Sequence, residues 1–206
     1  MGHVIILGDS IFDNGAYVRG GPDVVTQLRG HLPLQWEASL LAVDGAVTRG
    51  LKSQLARLPR GATHIVVSAG GNDALGASHI LSQPVRSVGE AVMLLAAAQQ
   101  RFAEEYEEMA DAVAATGLPV ALCTIYDTPE TEPDQRVIRT ALSVFNDIIA
   151  RAAFRRGFAL IDLRLICDAP DDYANPIEPS SKGGDKIAQA IARFAAGAGA
   201  EARVYI

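Results

Sequence analysis

Apolar runs without polar interruption recur at residues 4–7, 39–43, 64–68, 120–124 and 158–161, and longer stretches of helical period separate them. Such alternation predicts a parallel β-sheet of five strands covered by helices on both faces, a three-layer α/β/α architecture. The stretch 48–58 reads as a short helix stopped by Pro59 and Gly61. Ile138, Ala141, Leu142, Phe145, Ile148, Ile149 and Ala152 recur at helical spacing and mark a second helix with a core-facing stripe. The longest helix is expected over 88–116, where Val88, Val92, Leu95, Phe102, Tyr106, Met109 and Val113 form a three-four seam that also contains Gln99. This helix is expected to lie against the sheet rather than in a dimer seam, with the glutamates at 104, 105, 107 and 108 largely on its solvated side.

With 206 residues, about half of them apolar (49%), the chain can bury one full core, so one domain is expected over 1–206. The formal charge of −6 gives no electrostatic reason to bind nucleic acid or an anionic membrane surface. A small molecule is the expected partner, and the oligomeric state is left open. No apolar span is long enough to cross a membrane. The N-terminus runs straight into a strand without the basic and apolar regions of a secretory signal, so a cytoplasmic location is expected. Cys123, inside an apolar run, and Cys167 are too few and too far apart for a thiolate metal site, and Cys123 is expected to be buried and inert.

In a parallel sheet the strand C-termini share one edge, so the residues just after each strand converge. After the first strand comes Gly8-Asp9-Ser10-Ile11, with Gly8 permitting a sharp turn and Ser10 placed as a possible nucleophile. After the second comes Asp44-Gly45-Ala46, where glycine lets a backbone N–H approach a ligand closely. After the third comes Gly70-Gly71-Asn72-Asp73, where the Asn72 carboxamide supplies a further donor. Segments 17–33, 72–86 and 128–135 are expected to border the cleft.

In order and placement, these three loops resemble the SGNH, or GDSL, hydrolases. The resemblance implies a flavodoxin-like α/β/α fold, a carboxylic ester hydrolase activity on a small ester or O-acyl substrate, and no metal or organic cofactor. By it, Ser10 matches the nucleophile, while the Ser10 N–H, the Gly45 N–H and the Asn72 side chain match the oxyanion donors. The family's last block, Asp-x-x-His-Pro, has its counterpart in Asn175-Pro176-Ile177-Glu178-Pro179, followed by Gly183 and a helix. There the chain departs from the family, with Glu178 in the place of the histidine and Asn175 in that of its aspartate. A glutamate raised toward neutrality by burial can accept the serine proton, and Glu178 is the expected base. Asp9 and Asn175 are candidate supporting residues, and His79 is the alternative base.

Other chemistries fit less well. A phosphatase with an aspartate nucleophile at Asp9 would want a second aspartate where Ile11 stands. Neither Gly-x-Gly-x-x-Gly nor a Walker pattern follows the first strand. The remaining competitor is a catalytically impaired member of the same fold that binds an acyl or carbohydrate ligand without turnover.

Overall fold

The computed structural model describes residues 1–197, and residues 198–206, the tail of the domain expected over 1–206, lie outside the described residues. Its sheet consists of β1 (His3–Gly8), β2 (Glu37–Leu40), β3 (His64–Ser68), β4 (Val120–Cys123) and β5 (Ala159–Ile161) in the order β2-β1-β3-β4-β5. All neighbouring strands are parallel. The helices are α1 (Val24–His31), α2 (Leu51–Leu55), α3 (Gly71–Ala77), α4 (Val88–Ala114), α5 (Gln135–Arg156) and α6 (Ser181–Ala195).

Alternating side chains of β1 feed two cores. Val4 and Ile6 pack with Val24, Val25 and Leu28 of α1 and Ile187 and Ile191 of α6. Ile5 and Leu7 pack with Leu51 of α2, Phe102 and Tyr106 of α4, and Phe145 and Ile149 of α5. A strand covered on both faces must be apolar at every position, which is why the strand runs are continuous. Cys123 is buried at the end of β4, and burial pushes its thiol well above the ordinary range, leaving it unreactive.

Several local expectations shift. The second strand lies at Glu37–Leu40 rather than 39–43, because Leu41 and Ala42 both donate to the Ile6 carbonyl and the chain there leaves the sheet. The helix read over 48–58 is a 3-10 turn, Thr48–Gly50, followed by α2. The segment 17–33 contains α1, capped by the Asp23 side chain on the Thr26 N–H and packed against α6. Residues 72–86, expected only to border the cleft, hold most of α3 and a 3-10 turn, Ser78–Ser82. In α4 the seam is divided: Phe102, Tyr106, Met109 and Val113 are buried, while Val88 and Val92 are exposed. Gln99 donates to the Val144 carbonyl of α5 at 3.1 Å, so α4 pairs with α5 within the chain.

Two glycines make the site edge of the sheet possible. Gly8 has φ +137°, and a Cβ there would lie 1.8 Å from the Ser68 carbonyl oxygen, so β1 and β3 approach only around a bare backbone. Gly70 has φ +117° and would drive a Cβ to 2.9 Å from the Phe102 ring, fixing how tightly α3 turns out of β3.

Candidate active site

Ser10 sits in a turn organised by Asp9. The Asp9 carbonyl accepts from the N–H groups of Phe12 (3.1 Å) and Asp13 (3.0 Å), and its carboxyl accepts from Ile11 at 3.2 Å. The Asp9 N–H is itself tied to the Ser68 carbonyl at 3.2 Å. The Ser10 N–H is left without an acceptor among the described residues, as a donor awaiting an oxyanion must be.

The loop after β2 faces this turn. Val43 donates to the Gly8 carbonyl (3.0 Å), and Asp44 donates its N–H to the Asp13 carboxylate (2.9 Å) while accepting from the Tyr17 hydroxyl (2.8 Å). Gly45 follows at φ +75°, with no atom within 4 Å of the place a Cβ would take, so glycine is required there for its backbone conformation. The Gly45 N–H also has no acceptor among the described residues. Asn72, in the first turn of α3, donates one carboxamide N–H to the Ala46 carbonyl at 3.0 Å. That bond fixes the side chain and leaves its second N–H free for a ligand.

Glu178 reaches the same place from a closed loop. Tyr173 and Pro179 form an antiparallel bridge, and the Ala174 N–H donates to the Glu178 carbonyl at 2.9 Å. The Asn175 side-chain oxygen accepts from the N–H groups of both Ile177 (2.9 Å) and Glu178 (3.0 Å). Asn175 is therefore the residue that builds the turn presenting Glu178. Tyr126 holds the Ile177 carbonyl at 2.9 Å, and Asn14 holds that of Pro179 at 3.2 Å. Glu178 is 5% exposed and lines the same cavity as Asp9, Ser10 and Asn72. Burial raises its pKa; the Asn175 side chain opposes this, the Asp44 charge adds to it, and the Ser10 side chain opposes it. The net direction is upward, toward the range in which a carboxylate can serve as a base.

Asp9 is buried to 2% exposure, and desolvation, with the Asp73 and Glu178 charges adding to it, raises its pKa to about 7 against the hydrogen bond from Ile11. A carboxyl raised in the folded state stabilises the fold below its unfolded pKa, and that stability is lost as pH rises through the folded value. Asp9→Asn keeps the acceptor for Ile11 and removes the ionisation. The variant is expected to be more stable than the parent at pH 7 by on the order of a few kcal/mol, with the difference vanishing near pH 4. Thermal melts at the two pH values check this.

Ser10 lines a cavity of about 220 Å³ bounded by residues of α3, α4 and α5, and Gly45 is not among its lining residues. Its wall is mostly apolar, with Leu75, Ile80, Leu95, Ile125, Leu142, Phe145 and Ile177 contributing. Of the segments expected to border the cleft, 72–86 and 128–135 supply lining residues, whereas none comes from 17–33. His79 is not brought to the site. Its ring bonds the Gly76 carbonyl at 3.1 Å on the exposed side of the 3-10 turn whose Ile80 and Leu81 face the cavity. His3 and His64 sit at strand starts, and His31 pairs with Asp185, so none of the four histidines lines the cavity.

The model of the GDSL-like Lipase/Acylhydrolase family matches residues 6–186, which takes in Ser10, Gly45, Asn72 and Glu178. The chain belongs to this family. No curated protein matches it. Among solved structures it is similar to the extracellular lipase of Streptomyces rimosus, at 18% identity over 97% of this chain and 100% of that one, with a TM-score of 0.68. It is also similar to LAE5, an α/β hydrolase from the Lake Arreo metagenome, at 20% identity over 97% of each chain and a TM-score of 0.70. The lipase/acylhydrolase of Enterococcus faecalis aligns at 17% identity over 99% and 100% of the two chains, with a TM-score of 0.64. At these identities the likeness is one of fold, and it agrees with the five-stranded parallel sheet described above.

For a GDSL-like chain, the structure adds residues that the motif pattern does not name. Asn14, Tyr126 and Asn146 are buried polar side chains that hold site backbone: the Asn146 carboxamide accepts from the Ile125 N–H (2.8 Å) and donates to the Ile125 carbonyl (2.9 Å), fixing a cavity wall. Asn146 lies between Phe145 and Ile149 in an apolar helical stripe. A carboxamide interrupting such a stripe was the available signal, because a buried amide must be hydrogen-bonded.

Proposed function

We propose that this protein is a serine esterase that hydrolyses acyl esters through Ser10 with Glu178 as the base. The observation that carries the reading is that Ser10, Asn72 and the buried Glu178 carboxyl line one largely apolar cavity, with the Ser10 side chain acting on the Glu178 pKa. Ser10 attacks the ester carbonyl as Glu178 takes its proton. The resulting oxyanion is held by the Ser10 and Gly45 N–H groups and the free Asn72 N–H. Collapse expels the alcohol, which takes the proton back from Glu178, and water then releases the acid by the same route. Asn175 supports Glu178 by shaping its turn, and no cofactor enters. The lipases and acylhydrolases among the similar structures agree with an acyl chain lodged in the cavity.

Each methylene of that chain removed from water contributes about 0.8 kcal/mol, or roughly fourfold in kcat/KM. For p-nitrophenyl esters from acetate upward, kcat/KM is expected to climb by about this factor per carbon until the cavity is filled and then to fall. A fluorophosphonate should label the peptide that contains Ser10, as peptide mass spectrometry would read. Labelling elsewhere, or a flat chain-length series, would remove the reading. The absence of a histidine from the cavity favours a second one, an acyl-binding protein without turnover. Saturable binding of a fatty acid together with neither hydrolysis nor labelling would establish that instead.

A further inference from the structure

We infer that Gln54 is a positioning residue for the Ser10 chemistry, its side-chain amide standing in for the β2 acceptor that the Gly8 N–H lacks. The inference rests on the Ser10 reading proposed above. Pairing of β1 with β2 ends at Ile6 and Leu40, whereas pairing of β1 with β3 continues to Gly8 and Ser68. In a parallel strand successive residues bond to opposite neighbours. The Asp9 N–H goes to Ser68 of β3, so the N–H and carbonyl of Gly8 face the side of β2, where the carbonyl still accepts from the Val43 N–H at 3.0 Å but the N–H meets no backbone acceptor among the described residues.

Gln54 fills that place. Its Oε1 accepts from the Gly8 N–H at 2.8 Å, and its Nε2 donates to the Gly8 carbonyl at 2.8 Å. The side chain is 2% exposed and comes from α2, outside the sheet. Without it the Gly8 N–H would be a buried donor with no acceptor, a state that folded proteins avoid. The substitution has a purpose in the site. Because Leu41 and Ala42 both bond the Ile6 carbonyl, the chain after β2 reaches Gly8 only through the Val43 N–H, and the loop carrying Gly45 begins there. Gln54 lets that loop leave while Gly8, two residues before the nucleophile, stays fixed on both sides.

A displacement of about 1 Å in a reacting group costs on the order of 10²-fold in rate. Gln54→Met fills the same volume without the two bonds, and its kcat for a p-nitrophenyl ester is expected to fall by roughly 10- to 100-fold with KM little changed, since the apolar cavity is untouched. Gln54→Glu can make both bonds only while protonated. Its kcat relative to the parent, measured at temperatures where melts show the variant folded at every pH, is expected to be near one at pH 5.5 and to decline as pH rises, which a role in general stability alone would not produce under those conditions. Val113→Ala, in the buried C-terminal turn of α4 remote from the cavity, serves as a control that lowers the melting temperature with kcat retained. A Gln54→Met protein that melts lower yet keeps the parent kcat, or a Gln54→Glu ratio that is flat with pH, would overturn the inference. Should the parent hydrolyse no ester, the Ser10 reading itself fails, and ¹H–¹⁵N spectra then decide the geometric part. Shifted amide signals for Ser10 and Gly45 in Gln54→Met uphold it, and unchanged ones overturn it.

Discussion

The Ser10→Ala variant is expected to hydrolyse p-nitrophenyl esters at least about 10³-fold more slowly than the parent while melting at the same temperature. The fold does not depend on the hydroxyl. The turn around it is held by the Asp9 carbonyl and carboxyl and by the Asp9 N–H on Ser68, and alanine keeps the Cβ and every one of those bonds. A change of this kind is expected to stay within about 0.5 kcal/mol in stability. What disappears is the atom proposed to form the acyl-enzyme bond. The Ser10 and Gly45 N–H groups and Asn72 remain, so the residual rate reports how much the donors and the cavity achieve by holding an ester for attack by water. The loss also acts on Glu178, because the Ser10 side chain is one of the two contacts that lower its pKa, and without it the carboxyl rises further. Parent-like turnover in Ser10→Ala, measured with the same ester, would place the nucleophile elsewhere.

The sheet was legible in the sequence because its strands are covered twice. Val4, Ile5, Ile6 and Leu7 each enter one of two cores, so the run has no polar break, and the same holds for Ile65, Val66 and Val67. The end of β2 was not legible, since Leu41, Ala42 and Val43 continue the apolar run past the strand; what stops it is a bulge at Leu41–Ala42 opposite Ile6, a matter of backbone geometry. Helix α1 was hidden for a related reason: it follows a glycine-rich stretch and contains a β-branched pair and Gly30, all of which read against helix. Its Asp23 cap and the spacing of Val24, Leu28 and His31 were the signals in favour.

The candidate site divides in the same way. Ser10, Gly45 and Asn72 follow strands, and the topology of a parallel sheet carries such residues to one edge whatever lies between them. The polar side chains that hold the backbone in place, Gln54, Asn14 and Asn146, lie on or beside helices, and their partners are peptide groups with no sequence signature. The facing of His79 was equally unreadable. A 3-10 turn of five residues has a side toward the cavity and a side toward solvent, and sequence alone does not say which side residue 79 takes.

Glu178→Gln is expected to lower kcat by about 10²–10⁴-fold, the range that a positioned general base contributes. Glutamine preserves the shape of the turn, because the bonds that build it use the backbone of Ile177 and Glu178 and the side chain of Asn175. It cannot accept a proton, so the loss should appear in kcat with little change in KM. The pH profile supplies the sign. The proposed base can work only when ionised, and the Glu178 pKa is raised by burial, so the acid limb of the parent's kcat profile should lie above the ordinary carboxylate range, with activity rising as pH rises through it. In the glutamine variant that limb should vanish. A profile that keeps its acid limb would trace it to Asp9, the other cavity-lining carboxyl with a raised pKa, and would dismiss Glu178 as base. The double replacement Asn175→Asp with Glu178→His asks the converse question. It installs an imidazole where the Glu178 carboxyl now lines the cavity with Ser10, and an aspartate able to orient it, and a better-matched base should raise kcat near pH 7 on the order of tenfold or more. The turn makes a demand of its own: the residue at 175 must still accept from Ile177 and from residue 178, which an aspartate oxygen can do while its second oxygen turns to the imidazole. A rise in the double variant and not in Glu178→His alone would show that the carboxylate at 175 orients the imidazole, and equal rises would leave that position with the turn alone.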